Sequence, residues 1–125
     1  MRILITGGAG FIGCNAAARF GRAGHDVTVI DNLSRVGSEA NARWLTDELS
    51  IPSTRLDLRQ AEPIDAVVAR LKPDLVLHCA GQVAVTTSVT NPRRDFETTV
   101  LAVQFSAEGQ LQPRHTFQLK QFAAR

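Results

Sequence analysis

The stretch TGGAGFIG, residues 6–13, follows directly on the apolar run Ile3, Leu4 and Ile5, so a buried strand must pass into a helix through glycines at 7, 8, 10 and 13. Glycine loses more backbone freedom on folding than any other residue and gives no side chain to a core. Four glycines in eight residues therefore mark a place where the main chain has to stay bare. A parallel strand feeding a helix points the helix N-terminus, with its unpaired N–H groups and partial positive charge, beyond the strand's carboxyl end. A pyrophosphate suits that place. Gly7 can make the tight turn, Gly10 can let the backbone approach phosphate oxygens, and Gly13 can let the helix pack closely on the sheet. The spacing is G-x-x-G-x-x-G, one residue longer than the simplest dinucleotide fingerprint, and alone it fits a purely structural turn equally well.

The remaining chain repeats a strand-helix alternation. Arg2 to Thr6 reads as a short buried strand and Phe11 to Arg22 as a helix stopped by Gly21 and Gly24. Asp26 to Ile30 reads as a second strand, Ser38 to Leu49 as a helix, and Ile51 to Leu58 as a third strand broken by Pro52. Glu62 to Leu71 carries Ile64, Val67, Val68 and Leu71 at spacings of three and four, with Pro63 in the first turn, which predicts a helix ended by Pro73. Leu75, Val76 and Leu77 predict a fourth, fully buried strand leading into His78, Cys79, Ala80 and Gly81. A further helix is expected from about Pro92 through Phe96, Val100 and Val103. Short continuous apolar strands alternating with amphipathic helices predict an α/β, doubly wound parallel sheet of Rossmann-like type, with the first strand central and ligand at the carboxyl ends.

Asp31 strengthens the dinucleotide reading. It ends the second strand eighteen residues after Gly13, close to the interval at which an acid accepts both ribose hydroxyls. A carboxylate there repels a 2′-phosphate and favours NAD over NADP, a preference softened by Arg35. Asp57, after the third strand, is placed to meet an adenine amino group; the competing readings are a helix-cap or turn acid for Asp31 and an ordinary turn acid for Asp57. Ala80 and Gly81 are small enough to let a ribose and phosphate lie on the backbone. His78, among apolar neighbours at a strand end, reads as a core histidine rather than a catalyst.

Composition excludes other classes. Hydrophobic residues are 44% and charged residues 21% of the 125, a globular composition that suits one domain. No apolar run reaches the roughly 18 residues of a spanning helix, and no signal peptide is evident, so a cytoplasmic protein without membrane contact is expected. Cys14 and Cys79 read as buried free thiols, and no metal site is expected. Residues 1–106 hold eleven Lys and Arg against eleven Asp and Glu, so the surplus of +2 lies wholly in the last nineteen residues. Without a basic face, nucleic-acid binding is not expected.

With TGGAGFIG, DN at 31 and 32, DLR at 57–59 and HCAG at 78–81, the sequence resembles the extended short-chain dehydrogenases of the NAD-dependent epimerase/dehydratase family. AGQVAVTTSVTNPRRDFE at 80–97 and DNLSRVGS at 31–38 further resemble a branch acting on CDP-sugars, and the similarity runs from Met1 to about Val103. The resemblance implies that bound NAD removes a hydride from a sugar carbon of a nucleotide sugar and returns it to the opposite face. It implies that Gly7, Gly10, Phe11, Ile12 and Gly13 line the pyrophosphate, and that Asp31, Asn32, Ser34 and Arg35 meet the adenosine ribose. Asp57 and Leu58 would meet the adenine; Ala80, Gly81 and Gln82 would flank the inner ribose. Thr86, Thr87 and Ser88 lie where relatives begin to meet the sugar nucleotide, or equally cap the following helix. Full-length relatives are commonly homodimers.

Family catalysis uses a Tyr-x-x-x-Lys pair, whereas this sequence has no tyrosine and only Lys72 and Lys120. No catalytic residue is assigned, and the fifth strand that carries an assisting Ser or Thr in relatives is expected to be missing. Relatives carry F-E-x-N where this chain has FETT ending at Thr99, and Ala102 replaces a common glycine. After Val103 the run has no strand-like apolar stretch and four glutamines between 110 and 121. Residues 1–106 thus read as an incomplete NAD-binding domain and 107–125 as an atypical tail. The abrupt change resembles a shifted reading frame, which predicts a Tyr-x-x-x-Lys segment downstream in another frame. Three roles are compatible with this: the cofactor half of a nucleotide-sugar epimerase, a non-catalytic NAD-binding module, or a truncated product that does not fold because the fourth strand's edge is bare. The isolated chain is expected to bind NAD weakly or not at all and to turn over no substrate.

Overall fold

The computed structural model describes residues 1–81, 89–93 and 116–118. Strand β1 (Arg2–Thr6) is buried along its whole length after Arg2, as is β2 (Asp26–Asp31) after Asp26 and up to Ile30. Strands buried on both faces need a helical layer on each side, which parallel pairing with crossovers supplies. β1 pairs in parallel with β2 from Arg2↔Asp26 to Thr6↔Ile30, and with β4 (Leu75–His78) from Ile3↔Leu75 to Thr6↔His78. With β3 (Ser53–Arg55) and β5 (Thr116–Gln118) the order is β3-β2-β1-β4-β5, so the first strand is central as expected.

The period of two along the strands divides the core. Ile3, Ile5, Val27 and Val29 face Cys14 and Ala17 of helix α1 (Phe11–Arg22) and Leu45 of α2 (Ser38–Leu49). Leu4, Ile30 and Val76 face Ile64 and Val68 of α3 (Ala61–Leu71) on the other side. Helix α1 ends in a Schellman motif: His25 N–H donates to the Phe20 carbonyl and Gly24 N–H to that of Gly21, with Gly24 at φ +83°. Gly21 has a different task from the stop read in the sequence. It lies inside α1, and a Cβ there would come within 2.8 Å of Ile51 Cδ1.

Three strand expectations are corrected. The fourth strand is buried at Val76 and His78 but only half-buried at Leu75 and Leu77. The third strand is three residues long rather than spanning Ile51 to Leu58. Pro52 has no N–H to give the ladder, although its carbonyl accepts from Val29 N–H at 2.9 Å, and after Arg55 only Leu56 N–H still reaches the Asp31 carbonyl. The tail, read as free of strands, contributes β5, which pairs in parallel with β4 from Val76↔Thr116 to His78↔Gln118. An open strand edge presents unpaired N–H and C=O groups to any extended segment in reach. The helix expected through Phe96, Val100 and Val103 lies outside the described residues.

Candidate functional site at the carboxyl ends of the strands

The register brings Thr6, Ile30 and His78 side by side, so the segments leaving β1, β2 and β4 emerge at one edge of the sheet. Gly7 N–H donates to the Ile30 carbonyl at 2.8 Å, which bends the chain across the end of β2. Gly7 sits at φ +66°, and a Cβ on it would lie 2.5 Å from Ala80 N, so the turn after β1 and the segment after β4 are in backbone contact. That contact places Ala80 beside the turn. Gly10 is the N-cap of α1, and its N–H donates to the Gly7 carbonyl at 3.1 Å.

Gly13 is required for a reason other than the one expected. A Cβ there would lie 2.6 Å from Gly8 Cα and closer still to the Gly7 carbonyl oxygen, so at this position α1 meets the backbone of the turn, while Cys14 and Ala17 make its contact with the sheet. Gly8, to which the sequence reading gave no role, is also constrained, because its Cβ would meet Val29 Cγ1 at 2.5 Å. Helix α1 has no acidic residue in its first turn and no side-chain cap, while Arg19 and Arg22 occupy its last turn. Its positive end is thus left unneutralised by its own side chains. Phe11 and Ile12 are exposed at this end, at 85% and 61%.

Asp31 turns toward the glycine turn. Its Oδ2 accepts from Ala9 N–H at 3.1 Å and its Oδ1 from Leu33 N–H at 2.8 Å, leaving further lone pairs on both oxygens. Asn32 Oδ1 accepts from Ser34 N–H at 3.1 Å, and Ser34 and Arg35 are exposed on the loop that leads to α2. Asn41, which the sequence reading missed, donates from Nδ2 to the Ala9 carbonyl at 2.9 Å. No local signal marks it, since its partner lies 32 residues away.

Asp57 is held more firmly than expected. Arg59 donates to it through Nε at 2.9 Å, through its second guanidinium nitrogen at 2.6 Å and through its backbone N–H at 3.0 Å. The Arg59 side chain, with further help from Asn32, draws the Asp57 carboxyl down to about 2 from 3.8. A depressed folded-state pKa means stability that is full above the unfolded value and lost as pH falls from about 4 to about 2. Asp57→Asn is expected to cost about 1 kcal/mol near pH 7, after allowing for solvent screening of this partly exposed pair, and to flatten that part of the acid limb. Urea titrations at several pH values check this; Asp74, also lowered to about 2 by Arg2, keeps its own share in both proteins.

Leu58 belongs to the core rather than to an open surface, at 7% exposed against Leu4 and Ile30. His78 is buried, and its Nδ1 shares a 2.6 Å hydrogen bond with Thr6 Oγ1, which agrees with a core histidine. Cys14 is buried and Cys79 half-buried; both are free thiols, and burial pushes both pKa values up. Gln82, Thr86, Thr87 and Ser88 lie outside the described residues. Among the described residues no cluster of metal-ligating side chains occurs, and no helix is long and apolar enough to cross a membrane.

Residues 3–105 match the model of the NAD dependent epimerase/dehydratase family. The chain is similar to CDP-paratose 2-epimerase of Salmonella typhi, with 42% identity over 100 residues that make up 80% of this chain and 30% of that protein. Its fold is similar to that of the UDP-glucose 4-epimerase of Thermus thermophilus in complex with NAD, with a TM-score of 0.75 and 36% identity over 87% of this chain and 33% of that one. UDP-glucose 4-epimerase of Thermotoga maritima with UDP-glucose is similar at a TM-score of 0.77 and 31% identity, over 87% of this chain and 33% of that one. The chain spans about a third of the length of these relatives.

Proposed function

Since the chain belongs to the NAD dependent epimerase/dehydratase family, we propose that its glycine turn and the tips of β2 and β3 bind NAD as the cofactor half of a nucleotide-sugar epimerase. The observation that carries this is Asp31. Its carboxylate is fastened to Ala9 N–H at the lip of the turn, beside a helix end that its own side chains leave positively polarised. A ribose with both hydroxyls free can donate to that acid's remaining lone pairs, and a pyrophosphate can then reach the N–H groups at the head of α1. Space lies open over the turn: apart from the Gly7 carbonyl oxygen at 3.2 Å, a Cβ on Gly10 would meet nothing within 4 Å beyond its own chain neighbours.

When bound, NAD supplies the acceptor and donor of a hydride for inversion at a sugar carbon. In this division of labour Gly7, Gly10, Phe11, Ile12 and Gly13 hold the pyrophosphate and Asp31, Asn32, Ser34 and Arg35 the adenosine ribose. Asp57 and the backbone at Leu58 face the adenine, Ala80, Gly81 and Gln82 the inner ribose, and Thr86, Thr87 and Ser88 the sugar nucleotide. A CDP-linked sugar is the substrate class, supported by the similarity to CDP-paratose 2-epimerase. The proton-transfer pair of the family pattern is not among these residues, so cofactor binding is the part assigned here.

Titration of the labelled chain with NAD is the test. NAD is expected to bind with a Kd on the order of 1 mM and to shift the amides of Gly7, Gly10 and Gly13. NADP is expected to bind about tenfold more weakly, because its 2′-phosphate meets the Asp31 carboxylate, and Asp31→Asn should bring the two cofactors to within about threefold of each other. Absence of shifts at the turn, or an unchanged preference in Asp31→Asn, would refute the assignment.

A further inference from the structure

The two peptide groups around Ala9 are held by elements remote from them in sequence. Ala9 N–H donates to Asp31 Oδ2 at 3.1 Å, and the Ala9 carbonyl accepts from Asn41 Nδ2 at 2.9 Å. The next N–H, that of Gly10, donates to the Gly7 carbonyl at 3.1 Å. Both polar groups of the Ala9–Gly10 peptide are therefore engaged, one within the turn and one by α2. Ala9 is fully buried, so its side chain cannot swing out to accommodate a rotated peptide. Asn41 has no local use for its amide: its own N–H donates to the Gly37 carbonyl as an ordinary helical bond, and asparagine is a poor helix former.

Resting on the reading of this turn as a dinucleotide site, we propose that Asn41 is a positioning residue for the phosphate-facing backbone. By holding the Ala9 carbonyl into the protein, it prevents the Ala9–Gly10 peptide from rotating and bringing a carbonyl oxygen to the mouth of the turn. An oxygen there would oppose an anion that the N–H groups at the head of α1 attract. Asn41 also ties α2, which begins just after the ribose-facing loop, to the turn that faces the phosphates.

The experiment uses the whole labelled chain and has two readouts. In the ligand-free protein, Asn41→Ala is expected to raise amide hydrogen exchange at Ala9 and Gly10 about tenfold while leaving Ile3, Leu4 and Ile5 unchanged. In titrations, Asn41→Ala should weaken ADP about five- to tenfold, the size of one hydrogen bond, and leave adenosine within about twofold. A merely structural defect would weaken both. Asn41→Asp, with the same shape but no donor, should match or exceed the loss, and Asn41→Gln should recover part of it. Unchanged exchange at Gly10, or unchanged ADP affinity in Asn41→Ala beside a wild type that binds ADP, overturns the role of Asn41 alone. A wild type that binds neither ADP nor NAD overturns the dinucleotide reading and the phosphate role together.

Discussion

Gly13→Ala is expected to destabilise the chain by about 3 kcal/mol and to abolish the binding of NAD at the turn. Two effects compete. Alanine is the better helix former by about 1 kcal/mol, and position 13 lies in the first turn of α1. Against that, its Cβ would sit 2.6 Å from Gly8 Cα and nearer still to the Gly7 carbonyl oxygen. Both are backbone atoms, which no rotamer change can move aside. The helix must lift off the turn, which breaks the packing beneath it, and the clash outweighs the propensity gain. Gly24→Ala makes the contrast: it has φ +83° but no atom within 4 Å of its Cβ, so only left-handed strain of about 1 kcal/mol is expected. Urea melts read by circular dichroism separate the two variants. Equal midpoints would show that close approach is not what Gly13 serves.

Leu45→Ala is expected to cost about 3 kcal/mol, a large part of the roughly 5–15 kcal/mol that a domain of this size commands. Leu45 is fully buried, and with half-buried Leu49 beside it joins α2 to Ile3, Ile5, Val27 and Val29. Its carbonyl also accepts from Ile51 N–H at 2.9 Å, which starts the chain back toward β3. Truncation therefore opens a cavity between α2 and the sheet that the surrounding strands, paired on both sides, cannot close. Trp44, the adjacent residue on α2 and the only tryptophan, is 39% exposed and reports the transition by fluorescence. A shift of the midpoint worth under about 1 kcal/mol would mean that α2 contributes little to the core.

Much of the first half of the fold was legible because its signals are local. The apolar run after Arg2, the period of three and four in α1 and α3, and Gly24 after α1 each act within one turn of chain. Helices α1 and α2 and strand β1 accordingly begin and end where the pattern places them. The limits of β3 were not legible, because strand length is set by the partner: Val29, Ile30 and Asp31 offer pairing to Ser53, Thr54 and Arg55 and to no more. Nor was β5, since a three-residue segment in a polar run acquires a strand's conformation from the free edge of β4.

The site divides along the same line. The spacing marks glycines at 7, 10 and 13 and an acid at 31, and the structure sets Asp31 against the glycine turn through Ala9 N–H. Asn41 on the Ala9 carbonyl, Gly8 against Val29 and Arg59 gripping Asp57 depend on which segments meet, or on which of several charges a side chain selects. By itself the sequence determined a parallel strand-helix alternation and the bare turn at its centre, because backbone torsion and hydrophobic period act on neighbours in the chain. Only the tertiary structure decided how that turn is braced and where the outer strands stop, because hydrogen bonds between distant segments exist only once the sheet has brought them together.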